Sequence, residues 1–300
     1  MGHRLRQLVQ HIEPRPVEPA PAAAVDYVAP EPRTIEDLRT PCLVLQLDVA
    51  KRNIDRMHAR AESLGCAVRP HVKTHKTLEL GALQTQGTKR RITCSTLAEA
   101  EFFAAGGFDD ILYAVPITPD KLPEAAALTR ALDSFHIIID NVIQLDAILA
   151  HPAPALDKPW SVFIMVDCGY HRDGVDPTDP ASLDMAERLA AAPSTGFGGI
   201  YTHGGHSYDA DDTGSAVRPN AVVEVGETER DVTVDFAKRL AEERGVACPI
   251  LGVGSTPTCS VPPPHLEGVD EMHPVRAKFL SIRDHNPPFS PAYHHRIHMQ

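Results

Sequence analysis

From about residue 38 to residue 274 the chain alternates short apolar runs with longer segments whose apolar residues recur every three or four positions. The runs Cys42–Leu47, Cys66–Lys73, Arg91–Cys94, Ile111–Val115, Phe135–Ile139, Trp160–Val166, Gly198–Thr202 and Pro249–Val253 predict strands. The segments Val49–Leu64, Thr77–Gln84, Leu97–Phe103, Lys121–Leu132, Val142–Ala150, Ala181–Ala191 and Val232–Arg244 predict amphipathic helices. Asp48 is placed to cap the first helix and Gly65 to end it. Strand and helix alternate about seven times, which is the pattern of parallel βαβ units. A doubly wound sheet and a (β/α)8 barrel both produce it. The number of units, and the polar residues gathered after each strand, favour the TIM-type barrel, whose active site lies at the carboxyl ends of its strands.

Composition narrows the class. The 300 residues suit one large domain, a hydrophobic content of 43% allows a sizeable core, and a net charge of −11 argues against a nucleic-acid partner. No run approaches the roughly 20 apolar residues that span a bilayer. The six cysteines are widely spaced with no Cys-x-x-Cys pair, which predicts thiols in a reducing, cytoplasmic setting. Residues 1–37, rich in Pro and Ala, read as a disordered leader. A mitochondrial address is disfavoured there by Glu13, Glu18 and the absence of serine.

If the barrel holds, the residues after the strands face one bowl. These are Lys73, Ser95-Thr96, Asp140-Asn141, Asp167 to Arg172, Tyr201 to His206, and Gly254 to Thr258. Two lysines and two histidines crowd into His71-Val72-Lys73-Thr74-His75-Lys76. A lysine at the end of an apolar strand is placed to form an imine with an aldehyde, and burial there would depress its pKa. Lys76 reads as a solvated or supporting charge. Gly254, Ser255 and Thr256 offer backbone N–H groups and hydroxyls for a phosphate late in a barrel, or form an ordinary turn. His203 and His206 have metal-ligand chemistry, but two histidines on a glycine-rich loop fix no geometry, so no metal site is assigned.

Six ordered blocks carry a resemblance. They are Pro41–Leu45, Arg69–Lys76, Ser95–Ala100, Asp109–Tyr113, Val166–Gly169 with Arg172, and Gly254–Thr258. Together they resemble the D-serine dehydratase and D-threonine aldolase group, fold-type III pyridoxal phosphate enzymes related to alanine racemase. The resemblance covers about residues 38–274 and implies an alanine racemase-type barrel followed by a C-terminal β domain, assembled as a homodimer. It implies that Lys73 is the catalytic Schiff-base lysine and that Arg172 lies near the cofactor's phenolic oxygen. Tyr201 would face the pyridine nitrogen, and Gly254, Ser255 and Thr256 would bind the phosphate. The implied reaction is dehydration or retro-aldol cleavage of a D-β-hydroxy amino acid, with a divalent metal, zinc or manganese, acting on the hydroxyl. An amino-acid racemase of the same fold and a non-catalytic pyridoxal phosphate carrier are the alternatives.

The chain departs from the family after His273-Pro274. The family pattern continues into the β domain, whereas residues 275–300 form a Pro- and His-rich tail with no counterparts of the family's metal ligands. The expectation is a stunted last strand, a first strand without sheet partners, and impaired folding and activity. Robust turnover of D-serine or D-threonine by the purified chain would refute it.

Overall fold

A computed structural model describes residues 44–155, 157–212 and 220–275; the leader and nearly all of the tail lie outside the described residues. The described residues from Gln46 to Val275 belong to one compact unit. Its strands are β1 (Ala67–Val68), β2 (Ile92–Cys94), β3 (Asp110–Pro116), β4 (Ser134–Ile139), β5 (Trp160–Met165), β6 (Thr195–Tyr201), β7 (Leu251–Val253) and β8 (Glu271–Met272). Each pairs in parallel with its neighbour in the order β1-β8-β7-β6-β5-β4-β3-β2. A parallel bridge between His71 and Thr93 joins the two ends of that order, so the sheet closes into the expected barrel.

The helices are α1 (Leu47–Ser63), α2 (Leu78–Gln84), α3 (Leu97–Ala105), α4 (Leu122–Ala131), α5 (Val142–Ala150), α6 (Pro180–Ala191), α7 (Ser207–Asp212), α8 (Ala221–Arg244) and α9 (Thr256–Ser260). Their apolar stripes pack on the outward faces of the strands. In α1 the buried residues Ala50, Ile54, Met57 and Ala61 recur at helical spacing. Helix α8 ends where Gly245 takes φ +66, the left-handed conformation that glycine adopts without steric cost. None of the described helices is long and apolar enough to cross a membrane.

Strand alternation sorts the core into two layers. Ile111, Tyr113, Ile137, Val162 and Ile164 face the helices. Leu112, Ile138, Phe163, Met165 and Tyr201 fill the barrel interior. Beneath them lies a polar floor. Arg69, 1% exposed, donates from Nε and Nη2 to Glu271 at 2.6 and 3.1 Å and from Nη1 to Asp110 at 2.7 Å. His136 stands 3.5 Å from Asp110 and bonds Ser161 at 2.7 Å. The ion pairs cross from β1 to both β3 and β8, which is where the barrel closes.

The structure corrects two element assignments. Cys42–Leu47 is not a strand in its described part: Val44–Gln46 have no regular structure, and Leu47 already begins α1. Gln46 is the residue before the helix. Asp48 lies in the first turn, where its charge suits the helix's positive end. The second predicted strand shortens to Ala67–Val68, because Pro70 offers no N–H to the ladder and the chain turns at Lys73. Strand β8 was not predicted. It is two residues long, yet it pairs with β7 on one side and β1 on the other.

Candidate active site

Four loops at the carboxyl ends of the strands build the site. In the first, Val72 is fully buried and its N–H bonds the Thr93 carbonyl at 2.9 Å. This anchors the backbone one residue before Lys73. The Lys73 N–H donates to His71 Nδ1 at 3.3 Å, and His71 Nε2 meets Ser95 Oγ at 3.1 Å. Ser95 N–H donates to Glu99 at 2.8 Å, and Glu99 pairs with Lys76 at 3.0 Å. Lys76 has φ 51 and a mostly exposed side chain, so its role is to pair with Glu99. Lys73 itself is half-buried.

The second loop leaves β5 and returns at once, since Val166 bridges Val175. Asp167 organises it. Its Oδ1 accepts from the Gly169 and His171 N–H groups at 2.9 and 3.0 Å, and its Oδ2 meets His171 Nδ1 at 2.7 Å. Burial pushes the Asp167 carboxyl up, but these bonds outweigh it and hold the group below the usual carboxylate range. The loop presents Tyr170 and Arg172, with the Arg172 guanidinium 5.2 Å from the Tyr170 ring centre.

The third and fourth loops follow β6 and β7. Tyr201 is buried and stacks on His273 with ring centres 4.2 Å apart. Burial holds the Tyr201 phenol far above its ordinary pKa. His273, also buried, is pushed down to about 3, first by burial and then by the nearby Arg69 charge. Burial and the Arg172 and Lys73 charges hold His203 at about 4, against the bond of its Nδ1 to the Gly254 carbonyl at 2.9 Å. The imidazole is therefore neutral at pH 7. Its proton sits on Nδ1, facing the carbonyl, which leaves Nε2 as the acceptor.

A cavity of about 280 Å³ opens between these loops, lined by Lys73, Thr74, Tyr170, Arg172, His203, Gly205, Tyr208 and Val275. Of the residues assigned from sequence, Lys73 and Arg172 line it. Tyr201 lies deeper in the barrel. Gly254, Ser255 and Thr256 lie behind His203, buried. Gly254 has φ +137, and a Cβ there would come within 2.6 Å of Cys259 Sγ. Ser255 caps α9: its Oγ accepts from Thr258 N–H, its N–H donates to Thr258 Oγ1 at 2.9 Å, and its Oγ meets Ser207 Oγ at 2.6 Å. Not every polar residue after a strand faces the bowl. Thr96 and Asn141 cap α3 and α5.

From sequence, Tyr170 and His203 fall among the residues that face the bowl, His203 also as a metal-ligand type, but neither is assigned a cofactor role; Tyr208 and the buried Glu229 are not singled out. Tyr170 lies between Gly169 and Arg172, two positions before the arginine, in the loop that follows the Trp160–Val166 run. Tyr208 and Glu229 carry no local signal. Burial disfavours the thiolate of two cysteines in these loops: it pushes the Cys168 thiol up to about 12 and Cys259 well above its ordinary value.

The donor set fits pyridoxal phosphate. A primary amine and a guanidinium share one cavity with the faces of two tyrosines and a neutral imidazole. Gly205 keeps the wall open, since a Cβ there would run into the Tyr170 ring at 2.2 Å. The divalent metal does not find a comparable set: among the described residues no group of three or more His, Cys, Asp or Glu side chains is placed to ligate one.

The closed parallel barrel with its cavity at the strand ends is that of the alanine racemase N-terminal domain. The chain belongs to that family, whose model matches residues 45–274. It is 38% identical over 259 residues to a D-serine dehydratase of Dictyostelium discoideum, covering 82% of this chain and 64% of that one. It is 38% identical over 239 residues to a D-threo-3-hydroxyaspartate dehydratase of Delftia sp. strain HT23, covering 80% and 60%. The solved structure of the Delftia protein superposes with a TM-score of 0.73 at 37% identity, covering 81% of this chain and 62% of that one. A 3-hydroxy-D-aspartate aldolase of Paracoccus denitrificans is 34% identical over 171 residues, 56% of this chain and 44% of that one. The chain thus spans roughly three-fifths of the length of the two dehydratases.

Proposed function

We propose that the chain carries the cofactor barrel of a pyridoxal phosphate-dependent lyase acting on D-β-hydroxy amino acids. The observation that carries this reading is the meeting of Lys73 and Arg172, from the loops after β1 and β5, in one cavity walled by Tyr170, His203 and Tyr208. Pyridoxal phosphate supplies an electron sink for negative charge developing at the substrate Cα. Lys73 Nζ is the amine that would hold its aldehyde and, once displaced by the substrate amine, take the Cα proton. Arg172 would stabilise the phenolic oxygen as an anion. Tyr201, kept protonated by burial, would meet the pyridine nitrogen as a neutral partner. His203 is neutral and adds no charge that competes with the two cations. Gly254, Ser255 and Thr256 would close around the phosphate. The names of the relatives at 38% identity favour dehydration over aldol cleavage. A homodimer in a cytoplasmic setting is the assembly this reading expects.

The test mixes the purified chain with pyridoxal phosphate and follows the absorbance of the lysine imine. D-serine, D-threonine and L-alanine are then added in turn, with and without a divalent metal. The expected result is an imine band that Lys73→Ala abolishes, and pyruvate from D-serine. Glycine plus an aldehyde would make the chain an aldolase, D-alanine a racemase, and an imine with no turnover a carrier. An imine band that survives Lys73→Ala removes Lys73 from its assigned role.

A further inference from the structure

Helix α8 buries a carboxyl that the proposed chemistry does not use. Glu229 is 1% exposed, and among the described residues no Lys or Arg forms a salt bridge with it. Its Oε1 accepts the Gly204 N–H at 2.5 Å, and the Thr258 hydroxyl and Gly254 N–H are also directed at it. Gly204 comes from the loop after β6, between His203 and Gly205. Gly254 and Thr258 come from the turn after β7. A Cβ on Gly204 would lie 2.6 Å from Glu229 Oε1, so the close approach depends on glycine at that position. The same two loops are tied again by His203 to Gly254 and by Ser207 to Ser255.

A carboxyl is a poor filler for this place. Buried without a cation it disfavours its own charged form, and an apolar side chain of the same volume would pack without that cost. What the carboxyl adds is two acceptor oxygens on one planar group, able to take N–H and O–H donors from two loops at once.

We propose that Glu229 is a positioning residue that clamps the His203–Gly205 loop to the Gly254–Thr258 turn and thereby fixes His203 and the anion-binding turn relative to Lys73. The cofactor part of this assignment rests on the pyridoxal phosphate reading above; the clamp does not. Without the carboxyl, the Gly204 N–H loses this acceptor, while the His203–Gly254 and Ser207–Ser255 ties remain.

The experiment compares the 300-residue chain with Glu229→Ala, Glu229→Asp, Glu229→Gln and, as a control in the same helix, Thr233→Val. Thr233 is fully buried one turn further on and bonds the Glu229 carbonyl at 2.7 Å, but reaches neither loop. Two quantities are read: hydrogen exchange at the Gly204 amide without cofactor, and the dissociation constant for pyridoxal phosphate from the imine absorbance. Loss of one buried hydrogen bond corresponds to roughly tenfold, so Glu229→Ala should speed Gly204 exchange and weaken cofactor binding by about that factor. Glu229→Asp, one methylene short, should follow it if Glu229→Ala does not fold. Glu229→Gln keeps one acceptor oxygen and should restore most of both quantities. Thr233→Val should lower the melting temperature while leaving both near wild type. Gly204 exchange unchanged in Glu229→Ala and Glu229→Asp would overturn the clamp, as would equal effects from Thr233→Val. If the wild-type chain forms no imine, the cofactor reading fails, and Gly204 exchange still decides the clamp.

Discussion

Two buried groups with opposite protonation habits stand on either side of Gly204, His203 as its chain neighbour and Glu229 as its hydrogen-bond partner. Burial raises Glu229 from 4.5 to about 7, against the bonds it accepts, while burial and neighbouring cations lower His203 from 6.5 to about 4. The folded chain therefore holds the Glu229 proton more tightly than the unfolded chain. That contribution to stability is complete below pH 4.5, falls as pH rises towards 7, and levels off above it. With each pK unit near 1.4 kcal/mol, the full swing is on the order of 3 kcal/mol. His203 acts the other way: the unfolded chain takes up its proton first, so stability is lost as pH falls from 6.5 to about 4. The trends oppose each other over the shared range, and Glu229→Gln should separate them. Its denaturation midpoint should climb from pH 4 to 6.5 and then stay flat, while the wild type shows a decline up to pH 7 superimposed on that climb. Parallel curves for the two proteins would mean that Glu229 does not titrate in this window. At this scale the sequence was informative where chemistry is local. Lys73 and Arg172, which line the cavity, were singled out by type and place in a motif. Glu229 was not, because it lies before the predicted helix Val232–Arg244 and carries no apolar signal, and its burial comes from tertiary packing of α8, with α7 and α9 among its neighbours.

Among the elements, the excursion between β5 and α6 does the most for the site, and glycine makes it possible. Gly174 has φ +106, and a Cβ on it would lie 2.4 Å from the Asp167 backbone nitrogen. The Val166–Val175 bridge therefore closes only over glycine. Gly174→Ala should force this return path apart, cost roughly 1–3 kcal/mol and weaken cofactor binding by displacing Arg172. Gly196→Ala is the comparison, since its nearest neighbour is 3.8 Å away and its φ is ordinary. A Gly174→Ala chain with wild-type melting temperature and cofactor affinity would refute this account of the loop. The helix and strand pattern was largely readable, because most strands are continuous apolar runs and most helices show one buried stripe. Where the reading failed, local pattern and local structure disagree. Cys42–Leu47 is apolar enough for a strand, yet Leu47 starts a helix. Helix α8 begins eleven residues before the predicted Val232, at Ala221, because Gly226 and Glu229 occupy buried positions that an apolar period does not mark.

For the molecule as a whole, the barrel is a closure problem. Both strands at the closing point are two residues long, so few ladder hydrogen bonds hold β1 to β8. The Arg69 guanidinium supplies what the ladder lacks: it binds Glu271 through two nitrogens and Asp110 through a third, joining the start of the barrel to β8 and to β3. Burial pushes the Asp110 carboxyl up, but His136 and Arg69 overcome this and hold it far below the usual carboxylate range, so the floor stays charged at neutral pH. The block Arg69–Lys76 was singled out for its lysine, and nothing in the local sequence says that its first residue pairs with carboxylates 41 and 202 positions away. Those separations explain why the eighth strand and the side-chain ties that hold the expected barrel closed were not legible: register in a barrel is set by such long-range partners, not by periodicity. Removing the cation while leaving both acids is the sharp test. Arg69→Met should destabilise the fold by about 3–5 kcal/mol in urea, because Asp110 and Glu271 stay buried after losing their buried cation, with only the longer contacts of His136 to Asp110 and Arg91 to Glu271 left among the described residues. Replacing Asp110 and Glu271 by Asn and Gln in the same chain should recover part of that loss, since neutral side chains carry a smaller burial cost. The loss should also reach the site. Arg69 lies four residues before Lys73 on the same strand and loop, so the variant's imine should form more weakly even at temperatures where the fold persists. If Arg69→Met costs less than about 1 kcal/mol, well under the penalty of a broken buried pair, closure rests on backbone pairing and side-chain packing alone.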